Sequence, residues 1–141
     1  MKLTKEIESY IIASRIKDLK MKISYLESQP YYYFIEYVSK EDRIEYEKNK
    51  LDSFIYSYND YKKHGRFDLI EIDKHTMLNY IRMYAIEQRR IAIDFCENPY
   101  LKIKSLRNAV MAAKILIQEI PELSIYSLHW ICSNVKINLA N

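Results

Sequence analysis

The sequence predicts an all-α fold, a helical bundle of four long helices plus a short C-terminal helix in a single helical domain of residues 1–141. The chain has one Gly and three Pro in 141 residues, and sheet-rich folds with many tight turns need more of both. Apolar residues also recur at steps of three and four over most of the chain, which is the pattern of amphipathic helices that pack against one another.

The first helix is predicted to begin after Thr4, an N-cap residue type, with Glu6 and Glu8 in its first turn. Carboxylates there complement the positive end of the helix dipole. The segment closes at the Ser-Gln-Pro sequence of residues 28–30. Its apolar seam consists of Ile12, Ile16, Leu19, Ile23 and Leu26.

Residues 31–38, with the sequence YYYFIEYV, have strong strand propensity. Since no second strand-like run lies nearby, we interpret them as a helical turn or an extended connector. On a helix, Tyr33, Phe34, Tyr37 and Val38 would face inward and leave Tyr31 and Tyr32 at the margin of that face. Two interpretations remain open for its aromatic residues, either packing over the end of the bundle or forming a partner-binding patch.

The second helix is predicted over residues 40–64. Ser39 and Asp42 resemble a capping box at its start. Three basic residues at 62–64 and Gly65 mark its end, because cations suit the negative end of the dipole and glycine accepts the left-handed conformation. Its seam consists of Ile44, Leu51, Phe54, Tyr58 and Tyr61, with Glu47 in the intervening position.

The third helix is predicted to begin near Leu69, because Asp68 and Glu71 have the spacing of a capping box. A start at Asp73 is the alternative. The helix ends before Pro99, since proline disfavours helical geometry in the preceding residue. Its seam consists of Leu78, Ile81, Ala85, Ala92 and Phe95, with Gln88 as a polar position that fixes the register.

The fourth helix is predicted to continue to Ile120, where Pro121 breaks it, and to form a hairpin with the third. Short connections favour an up-down bundle, and the breaks at Asp73 and Pro121 leave an orthogonal array as the alternative. Ser124 would cap the final helix. The predicted seam of the fourth helix is Ile103, Leu106, Val110, Ala113, Ile117 and Ile120, and that of the final helix is Ile125, Leu128, Ile131 and Val135.

Charge, cysteine content and hydropathy indicate a cytoplasmic, intracellular protein that does not enter a membrane. The net charge of +3 is too small to imply nucleic acid by itself. Cys96 and Cys132 lie on predicted apolar faces, which favours buried thiols. No apolar run approaches the roughly 20 residues that span a bilayer. The abundance of Ile, Lys and Tyr suggests AT-rich coding sequence, as in low-GC bacteria, their phages and large DNA viruses.

No catalytic or cofactor motif is recognisable, so we expect no enzyme, no cofactor and no metal. One glycine excludes the glycine-rich phosphate loops. The paired Glu-x-x-His motifs of di-iron bundles are missing, and Glu71 with His75 is an isolated pair. Cys96 has no histidine at a recognisable spacing.

One face of the fourth helix combines cations with an aromatic residue and is a candidate nucleic-acid surface. The alternative is an ordinary solvated face whose lysine stems cover the edge of the core. Residues 115–131 could also form a helix-turn-helix, although the usual turn glycine is missing. The candidate residues are Tyr100, Lys104, Arg107, Lys114 and Gln118.

The function we expect is non-enzymatic protein binding, as a regulator or inhibitor of a host protein encoded by a phage, virus or mobile element. Seams and tyrosines exceed what one small bundle buries, and this excess also suggests a homo-oligomer. The interface candidates are Tyr31, Tyr32 and Trp130, although Trp130 could instead cap the core. A DNA- or RNA-binding regulator is the alternative, and a structural subunit is the third possibility. The partner protein is not identified.

Overall fold

A computed structural model describes residues 2–31, 39–94 and 97–121. Four long α-helices account for most of this part of the chain, and 86% of it is helical with no strand, so the predicted all-α class is confirmed. The predicted C-terminal helix and most of the aromatic segment 31–38 lie outside the described residues. The helices are α1 (Lys5–Ser28), α2 (Lys40–His64), α3 (Lys74–Asp94) and α4 (Pro99–Glu119), with a 3₁₀ turn at Phe67–Leu69.

Side-chain and glycine caps define the ends of these helices where the sequence predicted them. The Ile7 amide donates to Thr4 Oγ1 at 3.2 Å, and the Asp42 amide donates to Ser39 Oγ at 3.1 Å. Gly65 adopts the left-handed conformation with φ +68° and donates its amide to the Tyr61 carbonyl. These contacts satisfy backbone groups that have no partner inside a helix.

The predicted start of the third helix near Leu69 is wrong, and the alternative start at Asp73 is the correct one. Asp68 does not cap a helix, because its carboxylate forms a salt bridge with Arg66, in which Oδ2 lies 2.6 Å from Nη2. Glu71 is held elsewhere, since its carboxylate accepts a hydrogen bond from Ser53 Oγ at 2.8 Å. These contacts hold the chain in a short 3₁₀ turn and a non-helical segment before α3 begins at Lys74.

The chain divides into two compact units, which we call the hairpin unit and the α1–α2 unit. The hairpin unit consists of residues 1–10 and 74–141, and the α1–α2 unit consists of residues 11–73. Helix α1 therefore contributes its first turns to one unit and the remainder to the other.

The α1–α2 unit has a core that contains most residues of the predicted seams of both helices. Four buried residues form its centre, at 2–6% exposure, namely Ile12, Leu19, Phe54 and Ile70. Ile16, Leu51, Tyr58, Tyr61, Phe67 and Ile72 pack against them and are partly buried. Ile23 and Leu26 are also buried, so the predicted faces of α1 and α2 are confirmed.

Glu47 occupies the polar position of the α2 seam and is only 2% exposed. Lys22 Nζ lies 3.1 Å from one carboxylate oxygen. Lys50 Nζ lies 3.7 Å from the other, and that second oxygen has no hydrogen-bond partner. A buried carboxylate is tolerated only where cations compensate its lost hydration, so Lys22 and Lys50 explain how Glu47 fits this core.

Helices α3 and α4 pack against each other as an antiparallel hairpin, as predicted. Asn108 Nδ2 donates to Gln88 Oε1 across the pair at 3.2 Å, and Ala92 and Leu106 form one buried cluster. At the open end, Lys74 Nζ lies 2.7 Å from Glu119 Oε2. Gln88 therefore takes part in a polar contact between the two helices.

Two residues of the predicted α4 seam, Leu106 and Ala113, are buried, but its other residues lie to one side of the buried face. Ile103 is 45% exposed, and Val110 and Ile117 are only partly buried. Small residues occupy much of the buried face, where they allow neighbouring helices to approach closely, although they contribute little to an apolar periodicity. The buried residues of α4 are Ser105, Leu106, Ala109, Ala112, Ala113, Ile115 and Leu116.

One side of the hairpin is closed by aromatic residues. Tyr84 is 3% exposed, and its ring meets that of Tyr10 edge-on, with centroids 5.2 Å apart. The hydroxyl of Tyr84 is buried without a hydrogen-bond partner. Its burial, together with the negative charges of Glu6 and Glu87, raises the pKa of Tyr84 to about 12.

Replacing Tyr84 with Phe should leave stability at pH 7 unchanged or raise it by about 1 kcal/mol, because the change removes an unpaired buried hydroxyl. The folded-state pKa lies above the ordinary value of 10.0. The contribution of Tyr84 to the free energy of unfolding is therefore intact below pH 10 and is lost as the pH rises towards 12. Melting temperatures between pH 8 and 11 should fall more steeply for the unmodified chain than for Tyr84→Phe. Parallel curves would contradict this assignment.

Candidate functional site

The hairpin has an apolar row on the side opposite Tyr84. In an antiparallel pair, positions displaced in the same rotational sense from the contact line lie on the same side. Ile86 and Ile93 are displaced in this sense on α3, and so are Ile103, Val110 and Ile117 on α4. We call this surface the outer face, and its apolar residues are Ile86, Ile93, Ile103, Val110 and Ile117.

The contact between Gln88 and Asn108 sets the two halves of the outer face level with each other. Ile93 and Ile103 each lie five residues from that contact, towards the connection between the helices. Ile86 lies two residues away in the other direction, as does Val110, which faces it on α4. This register therefore gives two level apolar pairs, or rungs, across the hairpin, Ile93 with Ile103 and Ile86 with Val110.

The isoleucines of the outer face are exposed to solvent, whereas Tyr84 on the opposite side of the hairpin is buried. Ile86, Ile93 and Ile103 are exposed by 42%, 37% and 45%, whereas Tyr84 on the other side is buried. Exposed residues of this size are ordinary when scattered singly. Helical geometry places three exposed isoleucines and two partly buried apolar residues on one face, which makes this face a candidate binding surface.

Cations surround this apolar surface. Arg82 lies on the same side of α3, and Arg107 and Lys114 lie on the adjoining side of α4, all three exposed. Arg90 is also exposed, and its Nη1 atom lies 3.8 Å from Asp94 Oδ2. Residues 74–119 contain eight basic and four acidic residues, so the hairpin has a net positive charge.

The five predicted nucleic-acid residues lie together on the solvent side of α4. Arg107 and Lys114 border the outer face, while Tyr100 lies further round the helix with 76% of its surface exposed. Met111, which is 42% exposed, lies within the same row. The predicted residues of this row are Tyr100, Lys104, Arg107, Lys114 and Gln118.

Of the predicted interface residues, only Tyr31 lies among the described residues, and Tyr32 and Trp130 lie outside them. Tyr31 is 69% exposed. Its hydroxyl donates to Glu41 Oε1 at 2.9 Å, and this hydrogen bond raises its pKa. Lys40 Nζ lies 5.1 Å from the ring centroid. Tyr31 is therefore exposed but engaged by neighbours in its own α1–α2 unit.

The α1–α2 unit contains an open cleft of about 650 Å³. Arg15 and Lys50 line it together with Glu71 and Asp73, so its walls carry both signs of charge. Arg15 Nε is buried without a hydrogen-bond partner. The mixed lining favours neither an anionic nor a cationic ligand, and the cleft supports no specific chemistry.

Residues 2–31, 39–94 and 97–121 contain neither a metal-binding cluster nor a helix that could span a membrane. No three His, Cys, Asp or Glu side chains in this part of the chain are grouped to hold a metal ion. No helix within it has the length and hydropathy to cross a bilayer.

Sequence periodicity missed the outer face because it assigned Ile103, Val110 and Ile117 to the contact between α3 and α4. A signal was present in α3, where Ile86 and Ile93 are apolar, seven residues apart and off the predicted seam. A second apolar row on a helix whose first row is already used indicates a second contact.

Comparisons of the chain with protein-family models, curated proteins and solved structures return no match. The candidate site is therefore defined by the residues of this chain alone.

Proposed function

We propose that the chain is a non-enzymatic protein-binding module and that the outer face of the hairpin is its binding site. The observation that supports this proposal is the grouping of three exposed isoleucines, Ile86, Ile93 and Ile103, on one side of a helical pair. Removing their exposed surface from water would favour association. The cations beside them would select among partners by charge.

Site-specific photo-crosslinking in lysate of the source cells tests this proposal. A photoreactive amino acid at position 86 or 103 should give discrete protein adducts. The same amino acid at position 56, where Tyr56 is 72% exposed on α2, is the matched control. Adducts should be weaker at position 56, because that residue belongs to the α1–α2 unit.

A competition step shows whether the apolar contact matters. Excess unlabelled chain should suppress the adducts, and a chain carrying Ile93→Ser and Val110→Ser should compete at least tenfold less well, because truncating a central apolar contact weakens binding by about 2 kcal/mol. Equal adduct yields at positions 56, 86 and 103, or equal competition by the double variant, would contradict the proposal.

Binding of DNA or RNA is the second candidate function, and the exposed row of α4 favours it. Lys104, Arg107 and Lys114 are all exposed on the solvent side of the helix, where they could follow a phosphate backbone. Tyr100 could stack on an unpaired base. This function would use the back of α4 in place of the isoleucines.

Salt dependence distinguishes the two functions. If α4 binds duplex DNA, replacing Lys104, Arg107 and Lys114 with Gln should make the slope of log affinity against log salt shallower by about 0.9 for each phosphate that is no longer neutralised. Ile86→Ser should leave DNA binding unchanged. We expect no submicromolar DNA binding by the unmodified chain. Salt-sensitive submicromolar binding that the triple Gln variant abolishes would favour the second function.

A further inference from the structure

The apolar rows of the outer face have a seven-residue repeat. On α3 they place Ile86 and Ile93 seven residues apart, and on α4 they place Ile103, Val110 and Ile117 at the same interval. At a rise of about 1.5 Å per residue, successive rungs are separated by about 10 Å along the hairpin. Residues seven apart occupy the same heptad position, so such a row faces the same side of the helix at every second turn.

The cations follow the same repeat between the apolar rungs. Arg107 and Lys114 are seven residues apart on α4. Arg82 lies six residues before Gln88, and Lys114 lies six residues after Asn108. Both displacements run away from the connection between the helices, so these two cations are level with each other along the hairpin. Charged residues that flank an apolar row determine which partner helix pairs with it, because opposite charges attract and like charges repel.

We propose that the outer face binds an acidic amphipathic helix of a partner protein, which lies along this face as a third helix. This inference rests on the proposed protein-binding function and specifies its partner. The helix would place apolar residues at heptad positions against Ile86, Ile93 and Ile103 and carboxylates near Arg82 and Lys114. A second copy of the chain is a poorer occupant, because a face-to-face pair would bring the two cationic borders together.

Two designed helical peptides of three heptads test the inference by isothermal titration calorimetry. Both carry Leu at the a and d positions, one with Glu and the other with Lys at the flanking e and g positions. The Glu peptide should bind the full chain in a 1:1 complex at least tenfold more tightly than the Lys peptide. Raising the salt concentration should reduce the difference in affinity between the Glu peptide and the Lys peptide, because salt screens the charges.

Variants separate the apolar and charged contributions. Ile86→Asp with Ile103→Asp should weaken binding of the Glu peptide at least tenfold. Arg82→Glu with Lys114→Glu should reverse the preference in favour of the Lys peptide. Tyr25→Asp with Tyr56→Asp is the matched control, since both tyrosines are exposed in the α1–α2 unit, and it should change neither affinity.

Four results would overturn the inference. The first three are binding of neither peptide, equal binding of both peptides, and a dimer of the chain that Ile86→Asp dissociates. The fourth is unfolding of the Asp variants at a markedly lower urea concentration than the unmodified chain, because this result would mean that the chain itself already covers the outer face. Crosslinking at position 86 or 103 without binding of either peptide would leave the proposed function standing and reject the helical, acidic partner.

Discussion

Leu106→Ala should lower the free energy of unfolding by about 2–5 kcal/mol, the range for removing a large buried aliphatic side chain. Leu106 is 1% exposed and forms a buried cluster with Ala92 between α3 and α4. Truncation would leave a cavity at a place where the two helices cannot close further, because the facing residue is already small. Urea denaturation followed by circular dichroism measures this change.

Ile103→Ala is the matched control, since it shortens an aliphatic side chain on the same helix. Ile103 is 45% exposed, so this change should lower stability by less than about 1 kcal/mol. Lys114→Ala should have an effect within about 0.5 kcal/mol. If Ile103→Ala destabilised the chain as much as Leu106→Ala, Ile103 would lie in the contact with α3, as the sequence pattern predicted, and the outer face would not exist.

Lys22→Met should lower the free energy of unfolding by about 2–3 kcal/mol, because it leaves the buried Glu47 carboxylate poorly compensated. Removing one partner of a buried ion pair typically costs about 3–5 kcal/mol, and we expect less here because Lys50 remains 3.7 Å from the carboxylate. Lys20→Met is the control, since Lys20 is exposed on the same helix and the two substitutions remove the same charge.

A second substitution identifies the cause of that destabilisation. Glu47→Leu alone should be neutral within about 1 kcal/mol, because well-packed apolar residues often replace buried ion pairs without a decrease in stability. Glu47→Leu in the Lys22→Met background should restore most of the stability. Equal destabilisation by Lys22→Met and Lys20→Met in urea denaturation would show that Lys22 does not compensate Glu47.

Helix ends were the most predictable part of this fold, because local chemistry determines them. Ser39 and Gly65 needed only their neighbouring backbone to cap α2. Asp68 and Glu71 had the same local signature but formed other contacts. Asp68 pairs with Arg66, and Glu71 accepts a hydrogen bond from Ser53, a residue of another helix. Such tertiary competition is invisible to a motif of four residues.

The candidate site was less predictable because periodicity weights large apolar residues. In α4 the large residues Ile103, Val110 and Ile117 form a clear series, while the buried face contains several small residues such as Ala109 and Ala112. The pattern correctly indicated a helix with an apolar side. It could not show which side faces α3, since that depends on how closely the two backbones approach.

Methyl NMR of isoleucine side chains tests the central claim most directly, because the isoleucines that should respond are well separated in sequence from those that should not. On addition of the Glu peptide, the methyl signals of Ile86, Ile93 and Ile103 should shift, while those of the buried Ile12 and Ile70 in the α1–α2 unit should stay in place. Shifts confined to the α1–α2 unit, with the signals of Ile86, Ile93 and Ile103 unmoved, would contradict the assignment of the outer face as the binding site.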